Sequence, residues 1–180
     1  MSAPDDWKTH WERYALSAEE NPAQRLRREL IFARLDLSHG PTRVVDLGSG
    51  QGDFAQALHV RCPSAAILGV DVSQSGLAVA RRKVPGARFV ERDLLMDVAA
   101  DPADAGWATH AVCSEVLEHV DNPTRLLFNA GAYLMPGGAL VVTVPGGPMS
   151  AFDRHIGHRR HFSPAPLRQV LEAAGYAVDN

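Results

Sequence analysis

The sequence is poor in cysteine, in net charge and in long apolar runs. Its 180 residues include two cysteines, Cys62 and Cys113, which lie far apart, so we expect no disulfide framework and a reducing cytoplasm. No run of 18 apolar residues occurs and the first residues are polar, which predicts neither a membrane span nor a signal peptide. The net charge of −3 gives no reason to expect nucleic acid or a membrane surface as a partner.

One glycine-rich stretch follows an apolar, β-branched run. Val44-Val45-Asp46-Leu47 precedes Gly48-Ser49-Gly50-Gln51-Gly52, and an amphipathic segment begins at Asp53. This order predicts a strand, a tight turn and a helix, which form the first unit of a doubly wound α/β sheet. Ligands of such sheets lie beyond the carboxyl ends of the strands. A tight turn without a ligand is the simpler alternative.

Apolar runs and amphipathic segments continue to alternate along the chain. The predicted strands cover 66–71, 87–91, 107–114 and 139–144, and the predicted helices cover 53–62, 73–83, 123–134 and 164–174. Asp71 ends the second strand 23 residues beyond Gly48, close to the spacing at which an acid meets ribose hydroxyls. Nothing basic follows it, which argues against a 2′-phosphate and hence against NADP. The alternative for Asp71 is a helix N-cap, although Ser73 is better placed for that.

An acid two residues before three alternate glycines distinguishes this turn from the G-x-G-x-x-G pattern of dinucleotide-binding enzymes. The segment resembles the first motif of the class I S-adenosylmethionine (SAM)-dependent methyltransferases. Glu115-Val116-Leu117-Glu118-His119 and the later Met135-Pro136-Gly137-Gly138 also resemble segments of this family. The resemblance covers residues 42–178. It implies a Rossmann-like sheet with helices on both faces, SAM as cofactor, and methyl transfer. A small-molecule acceptor is favoured because the sequence shows no basic groove, RNA-binding module or protein-interaction insert, and the acceptor atom (O, N or C) stays open.

The resemblance also implies roles for residues at the strand ends. The glycines would approach the methionine part of SAM, Asp46 would orient that turn near the amino group, and Asp71 would bind the ribose. Val72, Asp93 and Leu94 would contact the adenine. The complete predicted cofactor set is Asp46, Gly48, Ser49, Gly50, Gly52, Asp71, Val72, Asp93, Leu94 and Ser114.

The acceptor site is predicted from the later part of the chain. If the acceptor is a hydroxyl, a histidine base near neutral pKa helps, and His119 is the candidate. Glu115 is a second candidate for contact with substrate or cofactor, and both residues have a structural role as the alternative. The long loop 145–162 places His155, Arg159 and Arg160 as candidates for binding a carboxylate or phosphate on the substrate.

Three histidines in this loop raise the question of a metal. His155, His158 and His161 are spaced so that they do not share one helical face, and Gly157 interrupts the segment. No cysteine lies nearby and no H-E-x-x-H pattern occurs, so we expect no metal site.

Residues 1–40 are predicted to form an N-terminal helical cap or lid on a SAM-binding domain at 41–180. Trp7, Trp11 and Tyr14 share one helical face, which either covers the cofactor or caps the core. The next helix, from Pro22 to about Leu37, is expected to bury Leu26, Leu30, Ala33 and Leu37. Its exposed face would then carry Arg25, Arg27, Arg28 and Arg34.

The family sheet has seven strands, and the resemblance places the start of the sixth at 176–178. The edge of the fifth strand would then stay unpaired, which is an aggregation liability. We therefore expect a C-terminally incomplete domain, or a sheet that a partner chain completes; homo-oligomerisation is compatible with the sequence.

Two other functions stay open at this point. A non-catalytic SAM-binding regulatory or partner subunit would keep the cofactor residues without a catalytic acceptor group. An NAD-dependent oxidoreductase is disfavoured by the glycine spacing and the later motifs.

Overall fold

The computed structural model describes residues 22–37, 41–96 and 100–179. Its centre is a five-stranded sheet with the order β3-β2-β1-β4-β5, in which all neighbouring strands are parallel. The strands are β1 (Arg43–Leu47), β2 (Ala66–Asp71), β3 (Arg88–Glu91), β4 (Ala108–Ser114) and β5 (Leu134–Thr143). The strand order reverses between β1 and β4, where doubly wound sheets bind their ligands.

Six α-helices and two short 3-10 turns connect or follow the strands in the described residues. The helices are α1 (Pro22–Arg34), α2 (Asp53–Arg61), α3 (Gln74–Lys83), α4 (Pro123–Ala130), α5 (Ala151–His155) and α6 (Pro164–Ala173). The 3-10 turns cover Leu117–His119 and Gly131–Tyr133. Ser73 and Asn122 cap α3 and α4 by accepting hydrogen bonds from backbone amides, as their side-chain chemistry predicts.

Two apolar layers lie on opposite faces of the sheet, because successive strand residues point to opposite sides. Val44 in β1 packs with buried residues of α1, α2 and α3. Its neighbour Val45 belongs to the other layer, with Leu126 and Leu127 of α4 and partly buried residues of α6. This arrangement confirms the predicted α/β class with helices on both faces.

The predicted buried stripe of the first helix is wrong. Leu26 and Leu30 are 63% and 57% exposed, whereas Ile31, Phe32 and the following Leu35 are buried. Helix α1 meets the core through its last turn, where the Phe32 ring stacks on Phe54 of α2 at a centroid distance of 5.5 Å. The docking point of α1, rather than its apolar periodicity, therefore decides which face is buried.

Two further predictions about the second half need correction. Strand β5 begins at Leu134 instead of about Ala139, and its pairing with β4 is irregular between Ala108 and His110. The segment 176–178 forms no strand in the described residues. Instead, the Tyr176 hydroxyl donates a hydrogen bond to the Leu127 carbonyl at 2.9 Å, which holds this segment against α4.

Trp7, Trp11 and Tyr14 lie outside the described residues, so the predicted lid and the division at residue 40 stay predictions. In the part of the chain that the structure describes, no helix has the length and apolar character needed to cross a membrane.

Candidate functional site

A cavity of about 1250 Å³ lies at the carboxyl ends of β1, β2 and β4. Helix α1 and the loop after β5 contribute to its walls. Most of the predicted site residues line it: Asp46, Gly48, Ser49, Asp71, Val72, Asp93, Leu94, Ser114, Glu115, His119 and Arg159. Gly50, Gly52, His155 and Arg160 are not among the lining residues.

The three glycines of the first turn all have left-handed backbone conformations, with φ of 74° at Gly48, 50° at Gly50 and 77° at Gly52. A Cβ on Gly48 would lie 2.4 Å from Cγ2 of Val116, and one on Gly52 would lie 2.8 Å from Cβ of Ala80. Contacts within the protein therefore already require glycine at both positions, whether or not a ligand approaches them.

Asp71 fixes the turn to the end of β2. Its carboxylate accepts hydrogen bonds from the backbone N–H of Gly50 at 2.8 Å and of Ser73 at 2.7 Å. Burial raises the pKa of Asp71, and these backbone hydrogen bonds oppose that rise. Each carboxylate oxygen accepts more than one hydrogen bond, so Asp71 keeps acceptor capacity for a ligand in the cavity.

Asp46 is 3% exposed, and its Oδ2 has no hydrogen-bond partner among the described residues. Burial raises its pKa to about 8, and the nearby charges of Asp71 and Asp53 add to the rise. The hydroxyl of Ser49, also buried, lacks a partner among these residues. Unsatisfied buried acceptors in a cavity wall are the groups that a ligand with N–H donors would satisfy.

The predicted adenine contacts lie on the same wall. Leu94 is buried and Asp93 accepts a hydrogen bond from the Leu95 N–H at 2.8 Å. Val72 is exposed at the cavity edge. These positions fit an adenine between an apolar side chain and a hydrogen-bond acceptor.

Glu115 is held in an unusual backbone conformation after β4. Its φ is 57°, the single positive value among the described non-glycine residues. Its carboxylate lies 2.9 Å from the guanidinium of Arg27 and accepts a hydrogen bond from Thr143 Oγ1 at 3.3 Å. Burial raises the pKa of Glu115, and the charge of Arg27 opposes that rise. Arg27 was expected on the solvated face of α1, and that expectation is wrong.

Glu118 is fully buried in the 3-10 turn, and neither carboxylate oxygen has a hydrogen-bond partner among the described residues. Burial raises its pKa to about 8, and the neighbouring charge of Glu115 adds to the rise. His119 beside it is 8% exposed, and its ring contacts that of His158 edge-on at a centroid distance of 4.8 Å. Both Glu118 and His158 line the cavity.

The loop after β5 brings only part of the predicted substrate set to the cavity. Arg159 donates its backbone N–H to the Glu118 carbonyl at 2.8 Å, and its side chain pairs with Asp121 at 2.5 Å. Arg160 instead donates to the Asp121 carbonyl at 3.0 Å, outside the cavity. His155 is exposed and does not line the cavity either.

The cavity lining also includes residues that were not predicted for the site, among them Arg27, Arg28, Glu118 and His158. For Glu118 a signal existed, since a single acid between Leu117 and Val120 in an apolar segment is expected to be buried. The two arginines had no local signal, because their position depends on how α1 docks.

The sequence matches the methyltransferase domain family over residues 14–180. A trans-aconitate 2-methyltransferase of Methylobacterium nodulans is 39% identical over 144 residues, which are 80% of this chain and 53% of that protein. One from Paracidovorax citrulli is 34% identical over 166 residues, which are 92% of this chain and 60% of that protein. The chain thus spans between 53% and 60% of the length of these two curated relatives.

Among solved structures, phosphoethanolamine N-methyltransferase 2 of Haemonchus contortus in complex with SAM superposes with a TM-score of 0.73. The match has 17% sequence identity and covers 96% of this chain and 45% of that chain, so it shows the fold alone. The family match confirms the resemblance, and with it SAM as the cofactor; nothing found favours a dinucleotide oxidoreductase. The chain belongs to the class I SAM-dependent methyltransferase family.

Proposed function

We propose that this protein transfers the methyl group of SAM to a carboxylate of a small polycarboxylic acid. Trans-aconitate, a tricarboxylate, is the acid named for two relatives. The observation that carries the proposal is the lining of the cavity, which combines unsatisfied acceptors at Asp46 and Ser49 with the cations Arg27, Arg28 and Arg159.

The cofactor would be held by the strand ends. Asp46 and Ser49 offer acceptors to the amino group of SAM, and Asp71 offers acceptors to the ribose hydroxyls. SAM supplies a methyl group that is already activated by the sulfonium charge. The remaining task of the protein is to align the acceptor with that methyl group and to exclude water from the cavity.

Arg28 is the best-placed residue to receive a carboxylate. It lines the cavity from α1, and it has no hydrogen bond or ion pair among the described residues. Arg27 and Arg159 already pair with Glu115 and Asp121. A planar guanidinium binds a carboxylate with two parallel hydrogen bonds, so Arg28 suits an acid that carries more than one carboxylate.

The acceptor class decides the role of His119. A carboxylic acid has a pKa of about 4, so it is already ionised near neutral pH and needs no general base. On this proposal His119 contributes to the shape and charge of the cavity. With a hydroxyl acceptor, His119 would instead serve as the base.

The test is a methylation assay with trans-aconitate and with crotonate, which has a similar double bond but one carboxylate. We expect methylation of trans-aconitate and much weaker activity on crotonate. Arg28→Ala should lower kcat/KM for trans-aconitate by about 10- to 100-fold, which is the loss of a charged hydrogen-bonded pair.

Arg25→Ala is the matched control, since Arg25 is exposed on the same helix and does not line the cavity. Equal activity on both acids, or equal losses in the two arginine variants, would contradict the proposed acceptor class. Binding of SAM without methylation of any acid would favour a non-catalytic SAM-binding role.

Two further predictions belong to this proposal. A cytoplasmic location is supported by Cys62 and Cys113, which are both free thiols. Homo-oligomerisation is supported by the edge of β5, which has β4 as its only strand neighbour in the described sheet.

A further inference from the structure

We propose that Glu118, His119 and His158 bind a divalent transition-metal ion in the wall of the cavity. Each residue offers one ligand atom, and the three atoms lie within 4.8 Å of one another. A carboxylate with two imidazoles is a ligand set of catalytic zinc sites, in which a further coordination position stays open.

Two separate segments bring these side chains together. Glu118 and His119 are consecutive residues of the 3-10 turn after β4. His158 lies in the loop after α5, where its backbone N–H donates to the Asp153 carbonyl at 2.9 Å. The next residue, Arg159, donates its N–H to the Glu118 carbonyl at 2.8 Å. This backbone contact fixes the loop beside the turn, so the cluster does not depend on side-chain contacts alone.

Glu118 gives an independent reason to expect a ligand here. Its side chain is 0% exposed, and both carboxylate oxygens lack a hydrogen-bond partner among the described residues. A buried carboxyl group with neither oxygen satisfied is costly, and a bound cation would remove that cost. Glu118 also lines the cavity, so an ion bound to it would lie beside the space that the acceptor would occupy.

The surrounding charge also favours a cation. Glu115 lies close enough to Glu118 that its charge raises the pKa of Glu118 further. Arg27, which pairs with Glu115, also lowers the pKa of Glu118, but by less than Glu115 raises it. A divalent ion on Glu118 would offset this repulsion.

A second grouping, Asp153 with His158 and His161, shares one histidine with the first. Asp153 already accepts a hydrogen bond from the Ser150 N–H at 2.6 Å, and His161 Nδ1 lies 3.2 Å from the Gly147 carbonyl. Their hydrogen-bonding capacity is thus partly used, in contrast to Glu118. His161 Nε2 lies 3.1 Å from His158 Nδ1, a position from which a neighbour orients a ligating imidazole.

The donor types narrow the choice of ion. Two nitrogens and one oxygen suit Zn²⁺, Co²⁺ or Fe²⁺, whereas Mg²⁺ and Ca²⁺ favour oxygen ligands. Zinc bonds of about 2.0–2.1 Å place tetrahedral ligands about 3.3 Å apart, so ligand atoms that now lie up to 4.8 Å apart would approach one another by up to about 1.5 Å on binding. The expectation of no metal site was based only on His155, His158 and His161 in the loop. The site proposed here takes two of its ligands, Glu118 and His119, from the turn after β4.

The open position of the ion would hold one carboxylate of the acceptor while Arg28 holds another. This role rests on the proposed function, but binding of the ion does not. The site therefore adds a specificity element to the cavity, which would favour acids with two or more carboxylates.

The experiment uses the full chain without a histidine tag, after treatment with a chelator and dialysis. Calorimetric titration with Zn²⁺ should give one ion per chain with a micromolar or tighter Kd, and Co²⁺ should give the visible absorption of a low-coordinate site. Glu118→Gln and His158→Ala should each weaken Zn²⁺ binding at least about tenfold. His155→Ala is the matched control, since His155 is exposed outside the cavity, and it should leave binding unchanged.

Absence of Zn²⁺ binding by the folded wild-type chain would overturn the proposal. So would binding that Glu118→Gln and His158→Ala leave intact, or binding that depends on His155. Circular dichroism and a thermal midpoint for each variant separate loss of the site from loss of the fold. Methylation of trans-aconitate without Zn²⁺ binding would reject the metal site alone, whereas Zn²⁺ binding without methylation would reject the proposed function alone.

Discussion

The guanidinium of Arg27 lies 2.9 Å from the carboxylate of Glu115 and joins helix α1 to the segment after β4. Glu115 has a left-handed backbone, which costs about 1–2 kcal/mol for a residue other than glycine. Its N–H donates to the Thr143 carbonyl at 2.9 Å, which helps to hold that conformation. The ion pair thus connects the helix at the cavity entrance to a strained residue of its wall.

Replacement of Arg27 by alanine should lower kcat/KM for the acceptor more than it lowers the free energy of unfolding. The pair is partly exposed, with side-chain exposures of 23% and 21%, so its contribution to folding is at most about 1 kcal/mol. We expect kcat/KM for the acceptor to fall about tenfold, which corresponds to about 1.4 kcal/mol. Steady-state kinetics and a thermal unfolding curve measure the two effects; a large fall in the thermal midpoint with unchanged kinetics would contradict this prediction.

Gly48→Ala should destabilise the protein by about 2–4 kcal/mol, from left-handed strain and from the contact with Val116. A Cβ at Gly48 would lie 2.4 Å from Val116 Cγ2. In a Val116→Ala background the contact is relieved, and the same substitution should cost only about 1–2 kcal/mol. Urea unfolding of the four chains measures this coupling. An equal loss of stability in the two backgrounds would show that the contact with Val116 does not contribute to the effect of Gly48→Ala.

Asp46 should make the ligand-free protein less stable as the pH rises. Its pKa is raised from 3.8 to about 8 in the folded chain, so the folded state holds a proton that the unfolded state has lost between these values. The free energy of unfolding therefore falls from about pH 4 to pH 8 and levels off above, by up to several kcal/mol. The fall should be smaller in Asp46→Asn, measured by urea unfolding at pH 5 and pH 8. An equal fall in the free energy of unfolding between pH 5 and pH 8 in the two proteins would refute this explanation.

Tyr176 should contribute to stability through its hydroxyl. This group donates to the Leu127 carbonyl at 2.9 Å, and burial raises its pKa to about 12. Tyr176→Phe removes the hydrogen bond and should lower the free energy of unfolding by about 1 kcal/mol. Tyr14→Phe, which changes the same group at a distant position in the sequence, is the comparison. An unchanged midpoint in urea for Tyr176→Phe would mean that the last described segment is not anchored on α4.

The parts of the fold that follow from local chemistry were predicted correctly. The turn at 48–52 follows from glycine conformation, and the cap at Ser73 follows from a side chain that accepts a hydrogen bond from a nearby amide. The carboxyl ends of parallel strands meet at one edge, so the sequence also predicted that Asp46 and Asp71 share a cavity.

The parts that depend on tertiary docking were not predictable from the sequence. Helix α1 carries apolar residues on both sides, and its docking against the sheet layer that includes Phe54 leaves Phe32 buried and Leu26 exposed. In the same way, His158 is 39 residues from His119 in the chain, and tertiary contacts such as the backbone hydrogen bond from Arg159 to Glu118 bring the two rings together. Local periodicity carries no information about either contact.

The most direct test of the whole account is calorimetric titration of the chain with S-adenosylhomocysteine, with NAD titrated alongside. We predict micromolar binding, about −8 kcal/mol at a Kd of 1 μM, and no binding of NAD. Asp71→Asn, which keeps an oxygen for only one of the two backbone amides of Gly50 and Ser73, should weaken binding at least about tenfold. A folded chain that binds NAD, or binds S-adenosylhomocysteine equally well with and without the Asp71 carboxylate, would contradict the assignment of this cavity.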